Sequence, residues 1–80
     1  MLFQVFTTDA FPGEDFFELI GERTLVGTFE AQNPNAAIKA SARFLIEHNI
    51  TFVGQYAETD VPCTCAHILT DCRLAIVVPA

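Results

Sequence analysis

The stretch NPNAAIKASARFLIEHN, residues 33–49, decides the fold, because it predicts an amphipathic helix with both of its ends marked. Its first asparagine is suited to cap the opening turn, and Pro34 to occupy the first helical position, where a missing N–H costs nothing. Its last asparagine is suited to end the helix in a left-handed conformation. At about 100° per residue, Lys39 and Arg43 fall on one side and the apolar residues on the other. The predicted core side comprises Ala37, Ile38, Ser41, Ala42, Phe44, Leu45 and Ile46.

Short apolar and β-branched runs before and after this helix predict strands that need its apolar face. In chain order these runs are Met1–Thr8, Thr24–Gln32, Ile50–Glu58, Cys63–Leu69 and Cys72–Val78. One helix cannot cover both faces of a sheet, so we expect a single α+β domain over residues 1–80 with its second face partly open. The prediction is one helix packed on a mainly antiparallel four- to five-stranded sheet, in the order β-β-α-β-β(-β). Gly27 is expected to mark a bulge or a close backbone approach.

The last two predicted strands are expected to form a tight hairpin that turns at Thr70 and Asp71. This register pairs Leu69 with Cys72, His67 with Leu74 and Cys65 with Ile76. It brings to one face four residues of the types found in structural zinc sites, namely Cys63, Cys65, His67 and Cys72. At about 3.3 Å per residue, the outermost two lie too far apart for one ion. No metal or cofactor is therefore predicted, and a small Cys/His zinc-binding domain stays as a third alternative.

Composition narrows the classes of function. The 80 residues are 51% hydrophobic and include eight Phe, which favours one packed domain over disorder. No apolar run approaches the roughly 18 residues of a membrane span. Residues 1–11 contain no base, so no signal peptide is predicted, and the odd number of cysteines favours a reduced, cytoplasmic protein. The formal net charge of −6 argues against direct nucleic-acid binding, which needs clustered Lys and Arg.

The acidic connection from Asp9 to Arg23 is the strongest candidate for a functional segment. It is long for a loop in a compact domain, and such loops are often functional. A short helical turn is expected within Pro12–Ile20. Its acids and aromatic residues suit protein binding, with aromatic anchors for affinity and charges for steering. The predicted partner-binding residues are Asp9, Phe11, Glu14, Asp15, Phe16, Phe17, Glu18 and Glu22. In the alternative, the phenylalanines fold back as a lid on the core and the acids form a solvated face.

The run VGTFEAQNPNAAIKASARFL, from Val26 to Leu45, resembles the strand-then-helix core of small phage-encoded anti-CRISPR proteins. This resemblance implies a short acidic inhibitor in the cytoplasm of the infected host. It further implies that the protein binds a CRISPR effector complex and blocks DNA binding, sometimes as a DNA mimic whose acids stand in for phosphates. It provides no functional residues to carry over.

Two other resemblances lead to the same broad class. The layout of Phe11-Pro12-Gly13, a strand and then NPNAAIKASARFL is similar to partial RNase H-like antitoxins, although the connection here is longer. The order VGTFEA, Ala-rich helix and IVVPA looks like the small non-catalytic subunit of bacterial phenylacetyl-CoA oxygenases. All three imply a binding module, and Cys65 and His67 lack an evident orienting carboxylate for nucleophilic catalysis. We therefore expect no enzyme, but a monomer or homodimer that binds a protein with a basic, nucleic-acid-binding surface.

Overall fold

The computed structural model of the protein describes residues 1–12, 17–47, 52–56, 65–69 and 73–80. Within these ranges the chain forms five strands and one helix in the order β-β-α-β-β-β, which confirms the predicted fold class. The elements are β1 Leu2–Pro12, β2 Phe17–Glu30, α1 Pro34–Glu47, β3 Phe52–Tyr56, β4 Cys65–Leu69 and β5 Arg73–Pro79. The helix α1 is not long and apolar enough to cross a membrane, and it is the one helix in the described part of the chain.

The strands form one sheet in the order β2-β1-β5-β4-β3, and each described neighbouring pair is antiparallel. β2 and β3 therefore lie at opposite edges, and α1, which connects them, packs across one face. β5 lies at the centre between β1 and β4. Its consecutive residues Leu74, Ala75, Ile76 and Val77 are all buried, because the central strand is covered on both faces.

The helix begins as the sequence predicts. The side-chain Oδ1 of Asn33 accepts a hydrogen bond from the backbone N–H of Ala36 at 2.9 Å, which confirms the predicted cap. The residue Ser41 is fully buried, and its hydroxyl donates to the carbonyl oxygen of Ile38 at 2.7 Å. A polar side chain is therefore tolerated on the core side, because its hydrogen bond is made within the helix itself.

The buried stripe of the helix is narrower than predicted. Leu45 is 1% exposed and belongs to the core, as expected, but Phe44 is 40% and Ile46 is 66% exposed. A helix that packs on one sheet face buries only the residues pointing nearly straight at that face. The flanking apolar residues stay in contact with solvent, and the broad side inferred from the apolar pattern included them incorrectly.

A bulge in β2 lies beside Gly27. Val26 has no residue opposite it on β1, and it packs against the core cluster that contains Leu45. A Cβ added at Gly27 would lie 3.2 Å from two ring atoms of Phe29, closer than ordinary packing allows. The bulge predicted at this glycine is therefore confirmed, and the group that approaches it is a side chain and not a backbone.

The predicted loop from Asp9 to Arg23 is wrong. The residues 9–12 continue β1, and 17–23 begin β2, so that only residues 13–16, which lie outside the described residues, separate the two strands. Of the stretch Pro12–Ile20, where a helical turn was expected, Pro12 and residues 17–20 are strand, and the remainder lies outside the described residues. Pairing along the two strands satisfies backbone N–H and C=O groups that an isolated helical turn would leave mostly open to water.

A second irregularity interrupts this hairpin near its middle. β2 places residues 21–23 opposite the single β1 residue Thr8, and Gly21 adopts a φ of 74°. This left-handed conformation is one that glycine enters without the steric penalty of a side chain. The extra residues are accommodated here, and regular pairing then continues toward the hairpin end.

The predicted register of β4 and β5 is wrong by one residue. The observed pairs are Leu69–Arg73, His67–Ala75 and Cys65–Val77. Residues 70–72 therefore connect the paired ends, instead of Thr70 and Asp71 alone. The apolar pattern of β5 could not select the register, because β5 is buried on both faces and a shift by one residue exposes no apolar side chain.

The sheet face opposite the helix, which was expected to be partly open, is buried at its centre and half-buried around it. Leu74 and Ile76 are fully buried there, beside Ala10 and Ala66. Partly buried side chains from three strands pack against this cluster, namely Phe6, Phe17, Leu19 and Ile68. The protein therefore has apolar packing on both sides of its sheet.

Candidate protein-binding surface

The end of the β1–β2 hairpin, which we call the distal hairpin, comprises residues 9–12 and 17–20. The helix does not cover it. Ile38 packs with residues near the start of β1, and Leu45 packs with Ala75, whose β1 partner is Thr7. None of the described core clusters that include helix residues contains a residue of the distal hairpin. The buried contacts of Ile38 and Leu45 are therefore with the start of β1 and with β5 and β4.

The two faces of the distal hairpin differ in exposure. The pairs Asp9–Ile20 and Phe11–Glu18 place four side chains on the helix side of the sheet. All four are exposed, and the exposed fraction is 59% for Phe11 and 39% for Ile20. We call these four residues the hairpin face. The opposite side carries Ala10, which is buried in the second core. One side of the distal hairpin is thus core, and the other is a mixed acidic and apolar surface.

The structure brings together some of the predicted partner-binding residues and separates others. Asp9, Phe11 and Glu18 lie on the hairpin face. Phe17 packs against the second core, as the lid alternative expected, and Glu22 is exposed in the irregular segment beside Gly21. Three of the predicted residues lie outside the described part of the chain, namely Glu14, Asp15 and Phe16.

Ile20 is a member of the hairpin face that the sequence analysis missed. The signal for it was present in FELI, residues 17–20, where Phe17 and Leu19 alternate with Glu18 and Ile20. Such alternation is typical of a half-buried strand. Interpreting the segment as a loop with a helical turn hid the fact that Glu18 and Ile20 point the same way.

The charges of the hairpin face are only partly matched within the chain. Asp9 Oδ1 lies 3.4 Å from Arg73 Nε, and both side chains are partly exposed to solvent. The same guanidinium donates from Nη2 to Thr7 Oγ1 at 3.3 Å. Among the described residues no ion pair involves Glu18 or Glu22. Of the two acids on the hairpin face, Glu18 is therefore the one that forms no ion pair with another described residue.

The zinc alternative is not tested by the described residues, because His67 is the one of its four candidate ligands whose side chain they include. They contain no group of three or more His, Cys, Asp or Glu side chains placed to hold a metal ion. His67 Nε2 lies 3.2 Å from Asn35 Oδ1 at the start of the helix, which gives this imidazole a structural hydrogen bond. Cys63 and Cys72 lie outside the described residues. The hairpin face therefore stays the candidate functional site.

Comparison of the chain with protein-family models, curated proteins and solved structures found no match. Over the residues that the structure describes, the fold is that of an α+β domain with one helix on an antiparallel sheet. Such a fold hosts many functions, so an inference about function depends on the surface and its chemistry.

Replacing the two hairpin phenylalanines one at a time should separate core from surface. Phe17→Ala should lower the free energy of unfolding by about 1–3 kcal/mol, less than the roughly 3–5 kcal/mol of a fully buried Phe. Phe11→Ala should lower it by less than about 1 kcal/mol, because the exposed ring contributes mainly strand propensity. Urea unfolding of both variants measures the difference. Equal losses would show that both rings pack in the core, and the hairpin face would then lose its aromatic residue.

Proposed function

We propose that this protein is a non-enzymatic binding module that holds another protein against its hairpin face. The observation that carries the proposal is the exposure of Phe11 and Ile20 beside Glu18 and Asp9 on a paired β-hairpin. Exposed apolar side chains rimmed by polar groups often mark interaction sites. A large aromatic ring supplies affinity when a partner buries it, and neighbouring carboxylates steer the approach of a basic surface.

The partner favoured by these residues is a protein with a basic surface. The formal net charge of −6 attracts such a surface over a distance of about one Debye length, and repels free nucleic acid. A basic surface that normally holds DNA or RNA is one that carboxylates can occupy in place of phosphates. Together with the resemblance of residues 26–45 to anti-CRISPR proteins, this favours an inhibitor of a CRISPR effector complex acting in the cytoplasm of a phage-infected host.

The binding test compares Glu18→Lys and Phe11→Ala with the unmodified protein in surface-based binding to a purified CRISPR effector complex. Each variant should bind about tenfold more weakly or worse, because a hot-spot residue contributes upwards of about 2 kcal/mol and about 1.4 kcal/mol is a factor of ten. The affinity of the unmodified protein should also fall as salt is raised, because exposed charges are screened. The effector complex should lose DNA binding in proportion to the inhibitor bound.

The matched control is Glu30→Lys, which makes the same charge change at the far end of β2. Glu30 forms an exposed ion pair with the amino group of Met1 at 2.8 Å, so its loss should have little effect on stability. Binding should stay within about threefold of the unmodified protein. If Glu18→Lys and Glu30→Lys weaken binding equally, net charge and not the hairpin face determines affinity. If the effector complex is not bound but a toxin or an oxygenase subunit is, the antitoxin or structural-subunit alternative takes its place.

A further inference from the structure

The outer side of helix α1 carries an exposed stripe opposite in charge to the hairpin face. Lys39 and Arg43 are one turn apart and both exposed, and Ile46 continues the row three residues later with 66% exposure. We call these three residues the helix stripe. Glu47 follows Arg43 by one turn at the helix end, so the basic character belongs to the earlier turns. The helix stripe and the hairpin face are thus both mixtures of charge and exposed apolar area, but with opposite signs.

The two surfaces also differ in height above the sheet. The helix packs on the sheet at Phe3 and Val5 and, near its end, at Ala75 and Leu69, whereas the hairpin face on the same side of the sheet is exposed. The molecule therefore has a step, with the helix as the raised part and the hairpin face as the lower part. A second copy, turned over about a two-fold axis, has the same step inverted. The helix of the second copy then lies on the hairpin face of the first copy. The helix of the first copy lies in the same way on the hairpin face of the second.

We infer that two copies of this chain associate through this step, with the helix stripe of each copy on the hairpin face of the other. The inference goes beyond the proposed function and uses the same hairpin face, so a second copy and a partner protein compete for it, and sedimentation of the protein alone tests the dimer without any partner. In this dimer Glu18 of each copy lies against the helix stripe of the other copy. The same pairing of opposite charges therefore occurs twice in the two-fold interface.

Single charge reversals test the dimer by sedimentation velocity over a series of protein concentrations. Arg43→Glu makes the helix stripe acidic, and Glu18→Lys makes the hairpin face basic. Each variant alone should self-associate about tenfold more weakly or worse, because an attraction becomes a repulsion at two symmetric places. An equimolar mixture of the two variants should restore association, because in the mixed dimer the reversed stripe meets the reversed hairpin and both remaining surfaces are unchanged.

Two controls carry the same charge changes outside both surfaces. Arg23→Glu alters a guanidinium that lies 6.0 Å from the centroid of the Phe6 ring, on the second face of the sheet. Glu30→Lys alters the far end of β2. Both should leave self-association within about threefold of the unmodified protein, and circular dichroism checks that every variant is folded. An unmodified protein that stays monomeric throughout the concentration series overturns the inference, as does a mixture of Arg43→Glu and Glu18→Lys that associates no better than either variant alone.

Discussion

Replacing Leu45 with alanine is expected to lower the free energy of unfolding by about 2–5 kcal/mol. The side chain is 1% exposed and packs with Leu69 and Ala75. It therefore joins the helix to β5 at the centre of the sheet and to the neighbouring strand β4. Removing it leaves a cavity that the sheet, held by its ladders of hydrogen bonds, can close only in part. A domain of this size has a thin stability margin, so the loss is a large fraction of the total.

The loss at Leu45 is measured by urea unfolding, with the slope of the transition unchanged, or as a melting temperature lowered by about 4–8 °C per kcal/mol. The matched control is Ile46→Ala, the next residue along the helix, which is 66% exposed. Its stability should change by less than about 0.5 kcal/mol. If Ile46→Ala destabilises the protein as much as Leu45→Ala, the helix presents a different side to the sheet.

Replacing Ile76 with alanine is expected to have an effect of similar size, about 2–5 kcal/mol. Ile76 is fully buried on the face that the helix does not cover, in a cluster with Leu74 and Ala66. If that sheet face were open to solvent, replacing the isoleucine would lower the free energy of unfolding only slightly, since its side chain would already be in water. A large loss would therefore establish that the second face is a core in its own right.

The control for Ile76 is Leu25→Ala. Leu25 is opposite Phe6 on the edge strand β2 and is 51% exposed, so its truncation removes a large apolar side chain that is only partly packed. The loss there should stay below about 1 kcal/mol. Comparable losses at Ile76 and Leu25 would contradict the difference in burial between the centre and the edge of the sheet.

The element order and the helix were predictable because their signals are local. The Asn33 cap is decided by a hydrogen bond that spans three residues, and Pro34 at the first helical position needs no tertiary partner. The alternation of apolar residues likewise marks strands without reference to what pairs with them. The burial of Leu45 followed from the same short-range periodicity.

The hairpin and the registers could not be predicted from such local signals. Residues 17–20 become strand because they pair with residues 9–12, and this pairing satisfies backbone groups that no local pattern records. The one-residue difference between β4 and β5 escapes prediction because both faces of β5 are apolar. The second face was expected to be partly open because a single helix can cover only one face of a sheet.

For the candidate site, the amino-acid sequence by itself determined which chemistry is present, namely carboxylates and phenylalanines concentrated in one acidic segment. Only the tertiary structure decided which of them act together. Strand pairing places Phe11 and Glu18 side by side on the exposed face and turns Phe17 into the second core. The physical reason is that side chains alternate across a strand, so that a residue's face depends on pairing and register with a segment far away along the chain.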